Sequence, residues 1–424
     1  MSSTKNITII FLEYFPILFS RFFGTAAQFL VTWYLSYSYG AHAVGEYNIA
    51  FSLCSTLGIF LTFGLSTQLL LETAKLKKNS CSTHNSLLSV YLGKQIFLAL
   101  SILAIAYLFI LITDVNTKEP LPWSQLAIMS VFWAINKINC DYLKGKEFIK
   151  TGLLLEFGAL PIFFIIPFIT SETLTFTSPI VVEYLLVNII ITAALSFLVA
   201  LRLAPFTHKS FKAEPMPKLT KETIGIWLSN LAGVTLSALP YLLMPIAFST
   251  NEIGMFAIAH RLIGVISTAN IALCSKFMPK LAVYWHTKAT KDFTDTYKQS
   301  RMLSMGIIIT LCVFYLFFSH EIISIFGSRL DIQKTSNLLF LFVVLKLLGA
   351  IGGLTENLVA SINNAKDEAI FTWTTIVLFT TIFFIYKEHI SLESFTCGFA
   401  GCLTLRTLFA FCIFQSRRNS NESH

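Results

Sequence analysis

Six basic side chains lie inside long apolar stretches of this 424-residue chain: Arg21, Lys94, Lys137, Arg261, Lys346 and Arg406. If those stretches cross a membrane, each charge costs several kcal/mol unless it lines a wet cavity or has a partner. Lys94 and Lys137 lie near the ends of their stretches, from which a lysine can extend its ammonium group to the membrane surface. The other four lie deeper, and they are candidates for lining a cavity or for forming structural ion pairs.

The sign of these charges indicates an anionic ligand. Arginine binds phosphate through paired hydrogen bonds. A cavity formed by the four deeper cations would therefore suit an anionic head group and repel cationic compounds. Thr25, Gln28 and Thr32 follow Arg21 at i+4, i+7 and i+11, which places these polar side chains on one helix face with it.

Similar polar stripes occur in three other stretches. They consist of Thr223, Trp227, Asn230, Val234 and Ser237; of Arg261, Thr268 and Ser275; and of Lys346, Gly353, Glu356, Asn357 and Asn364. Such a stripe can line a cavity or pack against another helix. For the first and last of the three, the sequence favours neither interpretation.

Two acidic residues and two prolines have predicted roles within these stretches. Glu356 is the deepest carboxylate, and a carboxylate at that depth can titrate with a transported proton, so it is a candidate for coupling. Asp141 follows Lys137 by one helical turn, which indicates a structural pair. Pro240 and Pro245 mark a candidate hinge.

The composition shows which class of protein these residues belong to. Hydrophobic residues make up 55% of the chain and charged residues only 13%, with a mean hydropathy of +0.69. Soluble proteins carry about 25% charged residues. The composition excludes a soluble enzyme, a nucleic-acid-binding domain and a disordered chain, despite the net charge of +8. The eight cysteines form no C-x-x-C pair, and we interpret them as small core residues rather than metal ligands.

Twelve apolar segments are long enough to span a bilayer as helices, each of about 20 residues. They are 15–37, 44–70, 90–112, 121–141, 151–170, 180–201, 223–248, 253–275, 303–320, 337–361, 369–386 and 395–414. With the N-terminus inside, 21 Lys and Arg residues lie in the inner segments and 4 in the outer ones. This asymmetry predicts twelve spans with both termini in the cytoplasm.

An internal repeat with an offset of 209 residues predicts the domain organisation. The segment VGEYNIAFSL from Val44 aligns with IGMFAIAHRL from Ile253, and Lys137 aligns with Lys346. We expect two six-helix bundles, residues 1–201 and 223–424, joined by a basic cytoplasmic linker at 202–222. Parallel repeats of this kind are typical of transporters that alternate access around a central cavity. The chain has no phosphate-binding G-x-x-x-x-G-K-[ST] element.

The segment from Ser20 to Leu70 resembles the start of Wzx-type O-antigen and polysaccharide flippases. In that family an arginine-bearing helix is followed by a glycine-containing turn, then G-x-Y and then G-L-x-x-x-L. The resemblance recurs in NEIGMFAIAHRL, KFMPKLA and IISIFGSRL. It implies the MATE-like, all-α fold of the multidrug/oligosaccharidyl-lipid/polysaccharide exporter superfamily. In lipid II flippases, which are more distant, arginines on spans 1 and 8 line the cavity, as Arg21 and Arg261 would here.

The resemblance also implies the function and the partners. The expected activity is flipping of an undecaprenyl-diphosphate-linked oligosaccharide from the cytoplasmic to the periplasmic leaflet of the bacterial inner membrane. The expected substrate-binding residues are Arg21, Gln28, Arg261, Lys346 and Arg406, with no catalytic residue, metal or cofactor. The expected partners are the lipid-linked oligosaccharide, the bilayer, and the polymerase and chain-length regulator of the same pathway, but no nucleic acid.

Three alternatives remain open. A multidrug exporter of the same fold is the first, although an acidic cavity would favour it and these spans carry cations. A membrane-embedded polysaccharide polymerase is the second, but it is expected to have a large outer loop. The third is a membrane protein whose intramembrane charges serve only assembly.

Overall fold

The apolar stretches form helices, as their continuous rather than alternating pattern predicts. A computed structural model describes residues 22–76, 88, 91–97, 100, 123–170, 179–203 and 221–422, apart from 354, 356–357 and 359–364. Within these ranges there is no strand. Eight described helices are long and apolar enough to cross a membrane, and one bent helix pair adds a ninth candidate span.

The helices agree closely with the predicted segments. In chain order they are α1 (22–39), α2 (Ala41–Leu61), α3 (Leu65–Leu76), α4 (91–97), α5 (Trp123–Gly145), α6 (Ile149–Leu153), a π-helical turn (Leu154–Gly158), α7 (Ala159–Thr170), α8 (Pro179–Leu203), α9 (Lys221–Ala247), α10 (Thr250–His286), α11 (Thr290–Ser324), α12 (Ile332–Gly349), a 3₁₀ turn (Ala350–Gly352), α13 (Ala365–Tyr386) and α14 (Leu392–Glu422). Thus the predicted span 180–201 is α8, and 223–248 is α9, with Pro240 and Pro245 both inside the helix.

The second predicted span, 44–70, is not one continuous helix. It is broken between α2 and α3, where Phe63 has a φ of +44° and Gly64 a φ of +76°. Hydropathy does not reveal the break, because apolar residues continue on both sides of it to Leu70.

The segment 276–302, which the sequence predicts as an inner loop between the spans 253–275 and 303–320, is helical instead. It is a helical hairpin, since α10 continues to His286 and α11 begins at Thr290. Phe277, Leu281 and Tyr297 on these extensions are buried in one apolar cluster. Their burial on one face explains why the helices continue beyond the apolar spans.

The described chain divides into two compact units. The first unit contains the chain up to Val31 and Ile49–Val234, and the second contains Thr32–Asn48 and the chain from Thr235. The predicted linker at 202–222 falls mostly outside the described residues. In the first unit, α5 and α8 pack around a core that includes Leu69, Tyr91 and Tyr142.

In the second unit, α2 and α10 cross at a distance that only glycine permits. A β-carbon on Gly45 would lie 2.1 Å from the carbonyl oxygen of Thr250, and one on Gly254 would lie 1.7 Å from that of Ala41. Each helix therefore presses its glycine against the first turn of the other. Gly45 and Gly254 are 209 residues apart, as are Ala41 and Thr250, which is the offset of the predicted repeat.

Candidate functional site: a cationic cavity at a break in α12

The helix that carries Lys346 is interrupted one turn beyond it. The α-helix α12 ends at Gly349, a 3₁₀ turn follows over Ala350–Gly352, and Gly353 has a φ of +56°. Interrupted helices in transporters mark the places where backbone and side chains line a cavity. We therefore expect a cavity around Lys346.

A cavity of about 120 Å³ lies at this break, inside the second unit. Its polar lining residues are His260, Ser267, Asn270, Lys346, Thr404 and Thr407, and the other described lining residues are apolar or glycine. None of the described lining residues carries a carboxylate. The volume corresponds to about four water molecules. It is therefore a small polar cavity with a positive charge.

Lys346 has no acidic partner among the described residues. Its Nζ lies 3.4 Å from the hydroxyl of Ser267, at the long end of the hydrogen-bond range. The amide oxygen of Asn270 accepts a hydrogen bond from Ser304 at 2.6 Å. Lys346 therefore lines the cavity, as one of the two sequence-based interpretations expects, while its role in binding stays a prediction.

His260 is a cavity residue that the sequence analysis missed. It lies in an aromatic surround, with ring centroids 5.6 Å away at both Phe256 and Phe342. Its Nδ1 is 3.1 Å from the hydroxyl of Tyr241, and the tautomer decides which of the two donates. Its position next to Arg261 in the sequence could have indicated it, but a single histidine on an apolar helix is a weak signal.

Arg261 contacts a different partner. Its Nη2 donates to Oδ1 of Asn48 on α2 at 3.2 Å. The amide nitrogen of Asn48 donates to the carbonyl of Val44 at 2.8 Å, which turns the amide oxygen toward the guanidinium. Arg261 is not among the described residues that line the Lys346 cavity. The hydrogen bond from Arg261 to Asn48 therefore joins α10 to α2. Asn48 lies one helical turn beyond Gly45 on α2.

The other predicted site residues are placed less completely. Arg406 is half-buried on α14, between the cavity residues Thr404 and Thr407, but is not itself a described lining residue. Gln28 is half-buried on α1, in the first unit. Arg21 and Glu356 lie outside the described residues, so their predicted roles stay predictions.

The four residues of the α9 stripe whose side chains the structure describes are all at least partly accessible. Asn230 and Ser237 are exposed, and Trp227 and Val234 are half-buried, at the helical spacing that the sequence predicts.

Of the stripe on span 10, Gly353 lines the cavity with Lys346. Asn357 and Asn364 fall outside the described residues, as does the side chain of Ser275.

Lys137 bonds two carboxylates instead of extending as an unpaired cation, which corrects the prediction made for it. Its ammonium lies 3.1 Å from Asp141 and 2.6 Å from Glu156. Lys144 also bonds both carboxylates, at 2.9 Å from Asp141 and closely to Glu156. The predicted pair of Lys137 with Asp141 is confirmed, but it belongs to a closed cluster of two cations and two anions. Local spacing did not reveal Glu156, which comes from the π-helical turn.

Within the described ranges, no group of three His, Cys, Asp or Glu side chains could hold a metal ion. The described cysteines, which include the buried Cys54, Cys140 and Cys312, form no disulfide.

Solved transporters share this architecture along nearly the whole chain. An inward-facing multidrug resistance MATE family transporter of the MOP superfamily gives a TM-score of 0.72 at 12% identity, over 94% of this chain and 96% of that chain. The MATE multidrug transporter DinF-BH gives 0.65 at 14% identity, over 96% and 95%. No protein-family model and no curated protein matches the chain. At these identities the likeness concerns the fold alone, and the protein is a multi-pass helical membrane protein with the fold of the MATE transporters of the MOP superfamily.

Proposed function

We propose that this protein is a flippase that moves an undecaprenyl-diphosphate-linked oligosaccharide from the cytoplasmic to the periplasmic leaflet of the bacterial inner membrane by alternating access. The MATE fold supports a transporter. The sequence resemblance to Wzx-type flippases supports the lipid-linked oligosaccharide, and the distribution of lysine and arginine supports cytoplasmic termini.

The observation that carries the proposal is the charge of the Lys346 cavity. An ammonium group, four neutral polar side chains and a histidine line it, without a carboxylate among the described lining residues. In a low-dielectric surround this arrangement attracts a phosphate and repels a cation. The volume of about 120 Å³ accommodates one phosphate group of the head group.

Five further residues have roles in the proposed transport. Arg261 would contribute a second phosphate contact once its guanidinium leaves Asn48. Arg21, Gln28 and Arg406 would complete the binding surface, and Glu356 would couple flipping to a proton, as the sequence and the resemblance imply. The polymerase and the chain-length regulator of the pathway are the proposed protein partners.

The test is complementation of a strain that lacks its own flippase for the glycan. Lys346→Met and Lys346→Glu should reach the membrane at normal levels, because no described carboxylate is left unpaired. Both should lose export, since a lysine–phosphate contact contributes roughly ten- to a hundredfold in affinity. Lys387→Glu, at the exposed end of α13, is the matched control and should export normally. Normal surface glycan from Lys346→Glu at normal protein level would reject the proposal.

Multidrug export is the second candidate function, because the similar solved structures are multidrug transporters. The same strain tests it. Drug resistance that depends on the protein, without restored surface glycan, would favour export of drugs over flipping.

A further inference from the structure

The break between α2 and α3 is supported by side chains from other spans. The indole Nε1 of Trp227 donates to the carbonyl of Ile59 at 3.2 Å. The amide of Gln95 donates to the carbonyl of Leu61 at 2.7 Å. Phe63, inside the break, has a left-handed φ of +44°, which is an outlier for a bulky side chain. Strain that the surroundings maintain in this way is concentrated at ligand sites and switches.

Three aromatic rings meet at this break, and we call them the aromatic platform: Phe60, Phe63 and Trp227. The indole stacks on Phe63 with centroids 5.3 Å apart and planes inclined by 21°. Phe60 lies 5.2 Å from Phe63 and 6.2 Å from Trp227. The side chain of Phe60 is 38% exposed and Trp227 is half-buried, so the platform presents ring surface outward.

The neighbouring helix surface faces water rather than lipid. Asn230 follows Trp227 by one turn on α9 and is exposed, although it lies within a candidate membrane span. An amide exposed to hydrocarbon without partners is costly, so this face of α9 must be hydrated.

We propose that the aromatic platform, together with Asn230, binds a sugar ring of the lipid-linked oligosaccharide. This rests on the flippase function proposed above. The C–H face of a pyranose ring packs well against the negative faces of aromatic rings. The amide of Asn230 can donate to and accept from sugar hydroxyls.

The platform is organised before the sugar arrives. The hydrogen bond from Trp227 to Ile59 holds the indole edge against α2 and keeps its ring from rotating. Binding then costs little side-chain entropy. Trp227 is six residues from the start of α9, about 9 Å along the helix, which places the platform near the predicted cytoplasmic end, where the substrate enters.

The experiment compares two lipids on the purified full-length protein in nanodiscs: undecaprenyl diphosphate, and the same lipid bearing one N-acetylglucosamine. The wild type should bind the sugar-bearing lipid about two- to tenfold more tightly, the range expected for aromatic stacking. Trp227→Leu and Phe60→Leu should abolish that difference and leave the affinity for the bare lipid unchanged. Phe60→Leu keeps the Trp227 bond to Ile59, so it tests the ring surface even if Trp227→Leu does not fold.

Trp285→Leu is the matched control, since Trp285 packs in a different aromatic cluster with Phe293 and Phe414, and it should keep the sugar preference. A sugar preference that survives in Phe60→Leu, or that is missing in the wild type, would overturn the platform. If Phe60→Leu weakened only the binding of the cationic dye ethidium, the platform would serve drugs instead, and the proposal would be wrong. Failure of the wild type to bind either lipid would overturn the flippase function itself, which separates the two outcomes.

Discussion

Lys137 and Lys346 lie 209 residues apart, at matching positions of the predicted repeat, yet in the described part of the chain only the ammonium of Lys137 bonds carboxylates. Lys137 bonds Asp141 and Glu156 at 3.1 and 2.6 Å, whereas Lys346 has only the hydroxyl of Ser267 at 3.4 Å among the described residues. At the same offset, Asp141 corresponds to Ala350. Among the described residues, the C-terminal half therefore has the cation without a carboxylate at the matching position, and the proposed function assigns this cation to an anionic ligand.

This difference predicts that the same substitution lowers the stability of the protein at Lys137 but not at Lys346. Lys137→Met should destabilise the protein, because two buried carboxylates lose a cation, and breaking a buried ion pair costs about 3–5 kcal/mol. Lys346→Met should leave stability within about 1 kcal/mol of the wild type, since it breaks only a long bond to a hydroxyl. Thermal unfolding of the purified protein in detergent measures both. Equal losses of stability in the two variants would show that Lys346 has a structural partner.

The crossing of α2 and α10 predicts that two glycines cannot be replaced. Gly45→Ala and Gly254→Ala should each force the helices apart, because the added methyl would overlap a carbonyl oxygen. We expect a loss of about 1–3 kcal/mol, the range for overpacking. Gly306→Ala is the control, since its β-carbon would meet no atom within 4 Å, and it should be neutral or stabilising. A melting temperature of Gly254→Ala equal to that of Gly306→Ala would contradict the close crossing.

Arg261 has two possible roles, which a pair of variants separates. If its guanidinium binds phosphate, Arg261→Lys should give intermediate glycan export, because the charge remains but the paired geometry is lost. Asn48→Ala should then export normally at normal protein level. If Arg261 serves mainly to hold α2 through Asn48, Asn48→Ala should reduce the amount of protein and its export as well. Surface glycan, divided by the amount of protein in the membrane, is the measurement.

The distribution of basic residues predicts the topology. Reporter fusions after residues 80, 210 and 290 should report a cytoplasmic location, and fusions after 117, 175 and 250 a periplasmic one. Residue 290 begins α11 and residue 250 begins α10, so both fusions follow short turns between helices. A periplasmic signal after residue 210 would contradict the predicted orientation of the whole chain.

The sequence by itself determined the helical class and the positions of most spans. A span is a local property, because about 20 consecutive apolar residues suffice to define it. This is why the predicted 180–201 and 223–248 agree with α8 and α9 to within a few residues. The pair of Lys137 with Asp141 was also readable, since i and i+4 are neighbours on any helix.

Only the tertiary structure decided which charges are paired and where the helices break. Glu156 reaches Lys137 and Lys144 from another helix, so no spacing within α5 could indicate it. The left-handed Phe63 lies in a break that Trp227 and Gln95, from distant spans, support through the carbonyls of Ile59 and Leu61. Hydropathy is a sum over neighbours in sequence, whereas ion pairs and helix breaks depend on neighbours in space.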